Sequence, residues 1–176
     1  MVSLLNFVWW KKPTQGCPCG FYNHPERECT CPPGAVQKYL NRISGPLLDR
    51  IDLHVEVTPV AFNELSSGRP QENSAAIRER VGRARERQRV RFRSDKKVNC
   101  NARKSPRLIR QFCKLNPDSE ELIRTAMTDL NLSARAYDRI LKVSRTIADL
   151  QSSHQIAPEH VSEAIQYRTF DRTLWV

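Results

Sequence analysis

Apolar residues recur with a helical period through most of the second half of the chain. From residue 74 onward they fall at spacings of three and four, which is typical of amphipathic helices that bury one face. Several such stripes in succession predict a small helical bundle. The stripes are Ile77, Val81, Ala84, Gln88 and Phe92; Leu108, Ile109, Phe112 and Cys113; Leu122, Ile123, Ala126, Met127 and Leu130; Tyr137, Ile140, Leu141, Ser144, Ile147 and Ala148; and Val161, Ala164 and Ile165.

A helix-start signal precedes each stripe. A small polar side chain that accepts from the first free N–H groups marks such a start, and so does proline at the first helical position. Asp118 followed by Glu121 is typical of a capping box. The predicted starts are Ser74, Ser105-Pro106, Asp118, Ser133 and Pro158.

Two shorter elements are predicted before the bundle. A helix is expected over residues 35–43, from an apolar stripe of Val36, Tyr39, Leu40 and Ile43. Residues 51–57 alternate apolar and polar side chains, the period of a half-buried strand. Pro59 is expected to end that strand.

The 176-residue chain is basic, with 29 Lys+Arg against 19 Asp+Glu and a net charge of +10. This charge favours a polyanionic partner such as nucleic acid, the alternative being a solvated arginine-rich face. No apolar run approaches the roughly 20 residues that cross a bilayer, so a transmembrane protein is excluded and no membrane partner is expected. The apolar first ten residues lack a basic leader. We therefore expect a cytoplasmic protein with reduced thiols.

The glycine positions exclude a nucleotide-binding P-loop within the chain. That loop needs a glycine pair in G-x-x-x-x-G spacing, followed by Lys and Ser or Thr, so that backbone N–H groups can cradle phosphates. No pair among the chain's glycines has this spacing. They are Gly16, Gly20, Gly34, Gly45, Gly68 and Gly82.

Four cysteines lie close together in a Pro- and Gly-rich loop over residues 16–34. They form two C-x-C pairs, Cys17 with Cys19 and Cys29 with Cys31. Thiolates are soft ligands that suit tetrahedral zinc, and a metal can replace a core that so short a loop cannot build. His24 lies between the pairs and is a substitute ligand. The alternative is a set of free thiols packed under neighbouring helices.

Arginines dominate the first helix of the predicted bundle. Residues 78–97 contain ten Lys and Arg but only three acidic residues. Such a helix can follow a phosphate backbone without reading bases. The candidate nucleic-acid contacts are Arg83, Arg87 and Arg91. The alternative is a solvated helix that bridges two domains.

Five strings along the chain resemble one known family. In chain order they are CPCGFYNHPERECTCPPG, RISGPLLDRIDLHVEV, NSAAIRERVGRARERQ, NCNA and LSARAYDRILKVSRTIADL. Together they are similar to the C-terminal half of the magnesium-chelatase-related AAA+ ATPases of the ComM/YifB competence family. The similarity extends over residues 16–172, and the shared order of five separate strings makes it specific.

The resemblance implies a mainly α fold. A helical AAA+ lid bundle would follow the residual end of an α/β P-loop ATPase core that includes the Cys-rich loop. Residues 1–60 would be the remnant of that core, residues 61–73 a linker and residues 74–172 the lid domain. In the family the P-loop and the metal-holding acids lie upstream, so we expect a truncated chain or a gene fragment.

The same resemblance implies a function. The family's members are hexameric motors that use ATP and Mg to act on DNA, in branch migration during natural transformation. Arg50, in LLDRID, aligns with the arginine finger, which stabilises charge on the phosphoryl group of a neighbouring subunit's ATP. Arg135, in LSARA, aligns with the second sensor arginine of the lid, which reports on the γ-phosphate. Without a P-loop, the chain alone is expected neither to bind ATP tightly nor to hydrolyse it.

Two other hypotheses are compatible with these residues. One is a free-standing basic module that holds nucleic acid through residues 78–97 and zinc through the four cysteines. Its affinity would fall steeply with salt, because each neutralised phosphate releases counterions. The other is a non-functional remnant, in which strand 51–57 is left as an exposed edge.

Overall fold

The computed structural model describes residues 17–22, 24, 27–42, 50–55, 72–95 and 97–173, with the side chains described as far as residue 168. The chain divides into two compact units. The first is Met1–Ser44 with Leu174–Val176, and the second is Gly45–Thr173. The predicted linker, residues 61–73, lies outside the described residues except for its last two.

The first unit contains one helix in its described part, α1, Pro33–Leu40. Pro33 occupies its first turn, where the fixed φ of proline favours the helix and a missing N–H costs nothing. Val36 and Leu40 are buried and pack with Cys17. The helix therefore begins two residues before the predicted start. Ile43, the last residue of the predicted stripe, lies outside the described residues.

The second unit contains all five helices predicted for the bundle, which confirms the mainly α fold. A short 3₁₀ turn, Asn101–Arg103, lies between the first two of these helices. The helices are α2, Ser74–Arg91; α3, Pro106–Phe112; α4, Pro117–Asp129; α5, Ala134–Leu150; and α6, Pro158–Thr173.

Two of the predicted caps are confirmed and two are wrong. Ser105 and Ser133 each accept a backbone N–H at the start of α3 and α5. At α2 the capping side chain is Asn73, which accepts from Ala76 N–H at 2.8 Å, so that Ser74 is already helical. At α4 the cap is Asn116, followed by proline at the first position. Both errors have one cause, because an asparagine one or two residues upstream takes the capping position.

Helix α5 lies at the centre of this unit. It packs against α6, α2, α3 and the 3₁₀ turn, and α4 packs against α6. Ser144, a polar residue on its buried face, donates to the carbonyl of Ile140 at 2.8 Å, so its hydroxyl is satisfied. The buried core consists of Ile109, Cys113, Ile123, Ala126, Ile140, Leu141, Ile147, Ala148, Ile156, Val161, Ala164 and Ile165.

The strand predicted over residues 51–57 does not form in its described part, residues 51–55. These residues have no regular secondary structure, bend at Asp52 and make no strand pairing with other described residues. Their backbone instead contacts α6: His54 N–H donates to the Tyr167 carbonyl at 3.0 Å, and the Arg168 guanidinium donates to the Ile51 carbonyl. The apolar side chains expected to be buried are exposed, 39% for Ile51 and 66% for Val55. No other described residue forms a strand beside this segment, so the alternation has no sheet face to cover there.

Across the described residues, no helix is long and apolar enough to cross a membrane.

Candidate functional site

The four cysteines of the 16–34 loop form one cluster. Their sulfur atoms all lie within 4.8 Å of one another. Cys17 and Cys19 are 3.2 Å apart at Sγ, and Cys29 is 3.6 Å from each of them. A zinc ion with four thiolates at its usual bond length sets the sulfur atoms about 3.8 Å apart. The cluster therefore has nearly the dimensions of a tetrahedral ZnS₄ site.

A tight turn brings the first cysteine pair into place. Gly20 N–H donates to the Cys17 carbonyl at 3.2 Å. Gly20 has a φ of 85°, in the left-handed region that glycine adopts without a steric penalty. The turn also directs the backbone N–H of Phe21 toward the Cys19 thiol. The sequence C-P-C-G thus builds a loop that points both sulfurs inward.

The thiols of the cluster differ in acidity. The Phe21 N–H and the Cys17 thiol hydrogen-bond to Cys19 and lower its pKa to about 6. For Cys29, the Cys31 N–H acts in the same direction, but desolvation and the neighbouring Cys17 and Cys19 outweigh it and raise the pKa to about 12. One thiolate is therefore favoured and further ionisation is opposed. A bound cation would remove that opposition.

His24, the predicted substitute ligand, does not belong to this cluster of four sulfurs. Its ring lies against Phe21 in an edge-to-face contact with a centroid distance of 5.6 Å. Among the described residues, the one group able to hold a metal ion consists of the four cysteines. Nitrogen ligation is therefore not needed to complete the coordination shell.

Helix α2 presents most of its arginines to solvent. Its first ten residues, 74–83, are all exposed. Arg83 pairs with Glu79 at 2.6 Å, one helical turn earlier, and its side chain is 59% exposed. Arg87 is half-buried. Surface pairs of this kind are worth little, so they compete only weakly with a phosphate for the guanidinium.

Arg91, the third predicted nucleic-acid contact, lies in a different environment. Two nitrogens of its guanidinium donate hydrogen bonds to the two Asp149 carboxylate oxygens, at 2.5 and 2.6 Å. One of these nitrogens also donates to the Asn101 side-chain oxygen at 3.0 Å. Asp149 is fully buried in this pair. This paired geometry commits Arg91 to the α2–α5 contact. These internal contacts argue against Arg91 as a nucleic-acid contact and leave Arg83 and Arg87 as the candidates on this helix.

Asp149 is the centre of a buried polar network. Arg145 contacts the same carboxylate at 3.1 Å, and Asn101 donates to it at 2.8 Å. Gln88 completes the network by accepting from Asn101 N–H at 3.0 Å. Desolvation alone would raise the pKa of Asp149, but the hydrogen bonds from Arg91 and Asn101 outweigh it and lower that pKa. Sequence reasoning missed this network, because Asp149 and Arg91 are far apart in the chain.

The two arginines assigned by resemblance to ATP are both exposed. Arg135 is in the first turn of α5, after the Ser133 cap, and Arg50 begins the segment 50–55. Asp52 in that segment pairs with Arg139 of α5. In the chain, Arg50 is two residues before Asp52, and Arg135 is one helical turn before Arg139. The same ion pair thus has one of the two arginines nearby in sequence on each side.

Two protein-family models match the chain. The model described as magnesium chelatase, subunit ChlI C-terminal, matches residues 71–168. The model described as magnesium chelatase, subunit ChlI, matches residues 12–65. Between them, the two matches include the cysteine cluster, Arg50, α2 and Arg135.

Curated relatives are similar over most of the chain. The uncharacterized protein YifB of Escherichia coli is 43% identical over 158 residues, which are 89% of this chain and 30% of that protein. YifB of Salmonella typhimurium and the competence protein ComM of Haemophilus influenzae are each 41% identical over the same share of both chains. The match thus spans about 30% of the length of these relatives.

Proposed function

The chain belongs to the magnesium-chelatase-related family of ComM and YifB, and we propose that it supplies the lid and the arginine finger of an ATP-driven motor that acts on DNA. The motor would use ATP with Mg and work as a hexamer. A role in branch migration during natural transformation is proposed from the same kinship. The Haemophilus influenzae relative ComM is named a competence protein, which supports the proposed role in transformation.

The observation that carries the proposal is the position of Arg50 and Arg135. Both residues are exposed, and each is within four residues of one member of the Asp52–Arg139 pair along the chain. An arginine that stabilises a transferring phosphoryl group needs a rigid base, because its benefit depends on position. The contacts of residues 51–54 with α5 and α6 supply such a base for Arg50.

In this proposal the two arginines have different tasks. Arg50 reaches the ATP of a neighbouring subunit and stabilises charge on the transferring phosphoryl group. Arg135 contacts the γ-phosphate and couples its presence to the position of the lid. ATP, its Mg ion and the P-loop that holds them come from the part of the family's chain upstream of the matched residues. Residues 1–176 alone are then expected not to hydrolyse ATP.

A chimera tests the assignment. Residues 16–172 of this chain would replace the aligned segment of Escherichia coli YifB, and ATP hydrolysis would be measured. Arg50→Ala should lower kcat by about 10³-fold or more, since such fingers are worth that much. Arg103→Ala, at an exposed arginine of the 3₁₀ turn, is the matched control and should leave kcat unchanged. Equal rates for Arg50→Ala and the control would refute the role of Arg50.

The cysteine cluster is proposed to hold one structural zinc ion. The sulfur spacings support this, and the ion would add fold stability to a unit whose described part buries Cys17, Val36 and Leu40 together. Purified protein should contain one zinc per chain by elemental analysis, and Cys29→Ser should lose it. Cys100→Ser, at a cysteine outside the cluster, should retain it. Zinc-free protein that is folded over residues 17–42 would argue against this site.

A second candidate function is nucleic-acid binding by α2 itself, as a free-standing basic module would do. The specific observation in its favour is the fully exposed first half of α2, with Arg83 still solvent-accessible in its surface pair. Charge reversal at Arg83 and Arg87 should abolish DNA binding and reduce its salt dependence. Charge reversal at Arg110, an exposed arginine of α3, is the control. Equal loss in both variants would mean that overall charge matters rather than this helix.

A further inference from the structure

Lys104 and Cys113 form a buried amine–thiol pair that no function described above uses. The Lys104 Nζ lies 2.9 Å from the Cys113 Sγ. The lysine is 3% exposed and the cysteine 5%. Lysine is almost never so fully buried unless it is paired, and the hydrogen-bond partner of its Nζ here is the sulfur. The fold therefore holds a nucleophilic nitrogen against a redox-active sulfur.

The backbone fixes this contact from both ends of α3. Lys104 directly precedes Ser105, the N-cap of the helix, and Cys113 is its C-cap, with its N–H bonded to the Ile109 carbonyl at 2.8 Å. The lysine side chain thus runs along the short helix. Because Cys113 belongs to the main core, the sulfur cannot turn away without repacking its neighbours.

Burial also prepares the amine for reaction. Desolvation lowers the pKa of Lys104, so the unprotonated amine is more accessible than in an exposed lysine. An amine of this kind attacks electrophilic centres, whereas an ammonium cannot. The unprotonated Lys104 amine, held 2.9 Å from the Cys113 sulfur, can therefore attack that sulfur once peroxide has oxidised it.

We infer that Lys104 and Cys113 form a covalent sulfur–nitrogen cross-link under peroxide. In the first step, the Cys113 thiol and hydrogen peroxide give a sulfenic acid and one water. In the second, the Lys104 nitrogen attacks that sulfur, the S–N bond forms, and the sulfenic oxygen leaves with two protons as a second water. The sulfur is oxidised and the peroxide reduced. The protein loses two hydrogen atoms and retains no oxygen.

The cross-link would stabilise the contact between α2 and α5. It closes a loop from the 3₁₀ turn to the end of α3, and Asn101 in that turn holds both Arg91 and Asp149. Closing a loop of this size restricts the unfolded chain. We expect the Tm of the second unit to rise by about 4 °C or more after peroxide treatment. A reducing thiol should reverse the rise by attacking the S–N bond.

Peptide mapping of the whole chain tests the inference. The zinc-loaded protein is treated with hydrogen peroxide, alkylated and digested with trypsin. Residues 104–107 should be found joined to residues 111–114, with a mass equal to the two peptides less two hydrogens. Lys104→Met keeps the aliphatic stem and removes the amine. In this variant Cys113 should instead carry sulfinic acid, or be trapped as sulfenic acid by dimedone.

Three results would overturn the inference. One is a linked product that retains an oxygen atom, since the condensation of the amine with the sulfenic acid releases that oxygen as water. Another is a disulfide that joins residues 98–103, which contain Cys100, to residues 111–114. The third is unmodified Cys113 at peroxide doses that oxidise Cys100. The first measurement needs no variant, so it remains decisive even where Lys104→Met fails to fold.

Discussion

At the scale of single residues, the Arg91–Asp149 pair shows how a basic helix divides its arginines between surface and interior. Arg91 is three residues after Gln88 and seven after Ala84, which are both buried, so helical spacing places it on the same face. That spacing was available in the sequence. The partner was not, because Asp149 lies 58 residues away. Position beside the buried residues was the signal that separates Arg91 from Arg83, which is exposed.

Removing the buried carboxylate should destabilise the protein strongly. Asp149→Asn leaves Arg91 and Arg145 without their countercharge, which typically costs about 3–5 kcal/mol in unfolding free energy. Urea unfolding at pH 7 measures this loss. Asp129→Asn, at an exposed acid at the end of α4, is the matched control and should change little.

The pH dependence of that difference has a definite sign. The folded protein lowers the pKa of Asp149, so its contribution is fully present above the unfolded value of about 3.9. It is lost as pH falls through the still lower folded value. The wild type should therefore approach the Asp149→Asn variant below about pH 4. A constant difference from pH 7 to pH 3 would mean that the carboxylate is not the source of the stability.

At the scale of elements, sequence periodicity predicted the helices well and the segment over residues 51–55 poorly. The stripe of α5 is buried on the predicted face because its packing partners surround it. Residues 51–55 alternate equally clearly, but alternation specifies a strand only where another strand is available. In the described chain, this segment finds helix α6 instead. The strand prediction was wrong for residues 51–55, because the sequence does not show which element lies beside this segment.

The cap of α2 offers a direct test at this scale. Asn73 accepts the Ala76 N–H, whereas the adjacent Ser74 is already part of the helix. Asn73→Ala should cost the helix about 1 kcal/mol and speed amide hydrogen exchange in residues 77–83. Ser74→Ala should leave those exchange rates nearly unchanged. Because the first half of α2 is exposed, the global Tm should hardly move in either variant. Faster exchange in Ser74→Ala than in Asn73→Ala would instead identify Ser74 as the N-cap.

At the scale of the whole molecule, the two units depend on different sources of stability. The second unit has a core built from five helices, whereas the described part of the first unit buries Cys17, Val36 and Leu40 in one cluster beside the cysteines. A zinc ion bound by four thiolates would add the stability of its bonds to this unit. The cysteine spacing predicted from sequence alone that these four residues come together, and the structure confirms that cluster. The individual sulfur distances, which match the size of a tetrahedral zinc site, required the fold of the loop.

Removal of the metal should therefore unfold the first unit and leave the second unit folded. Treatment of zinc-loaded protein with a strong chelator should abolish amide protection in α1, while α4 to α6 keep theirs. Hydrogen exchange with peptide resolution measures both regions in one sample. Loss of protection throughout the chain would contradict the independence of the second core, and unchanged protection of α1 would contradict a structural role for zinc.

The central claim, that Arg50 acts on the ATP of a neighbouring subunit, is tested most directly by mixing subunits. In the YifB chimera, one population carries Arg50→Ala and the other carries an inactivated P-loop, so that neither hydrolyses ATP alone. In mixed rings, an intact P-loop next to a subunit with an intact Arg50 completes the site. We predict that ATP hydrolysis reappears on mixing and peaks near equal proportions. Mixtures that remain as inactive as their components would contradict the claim.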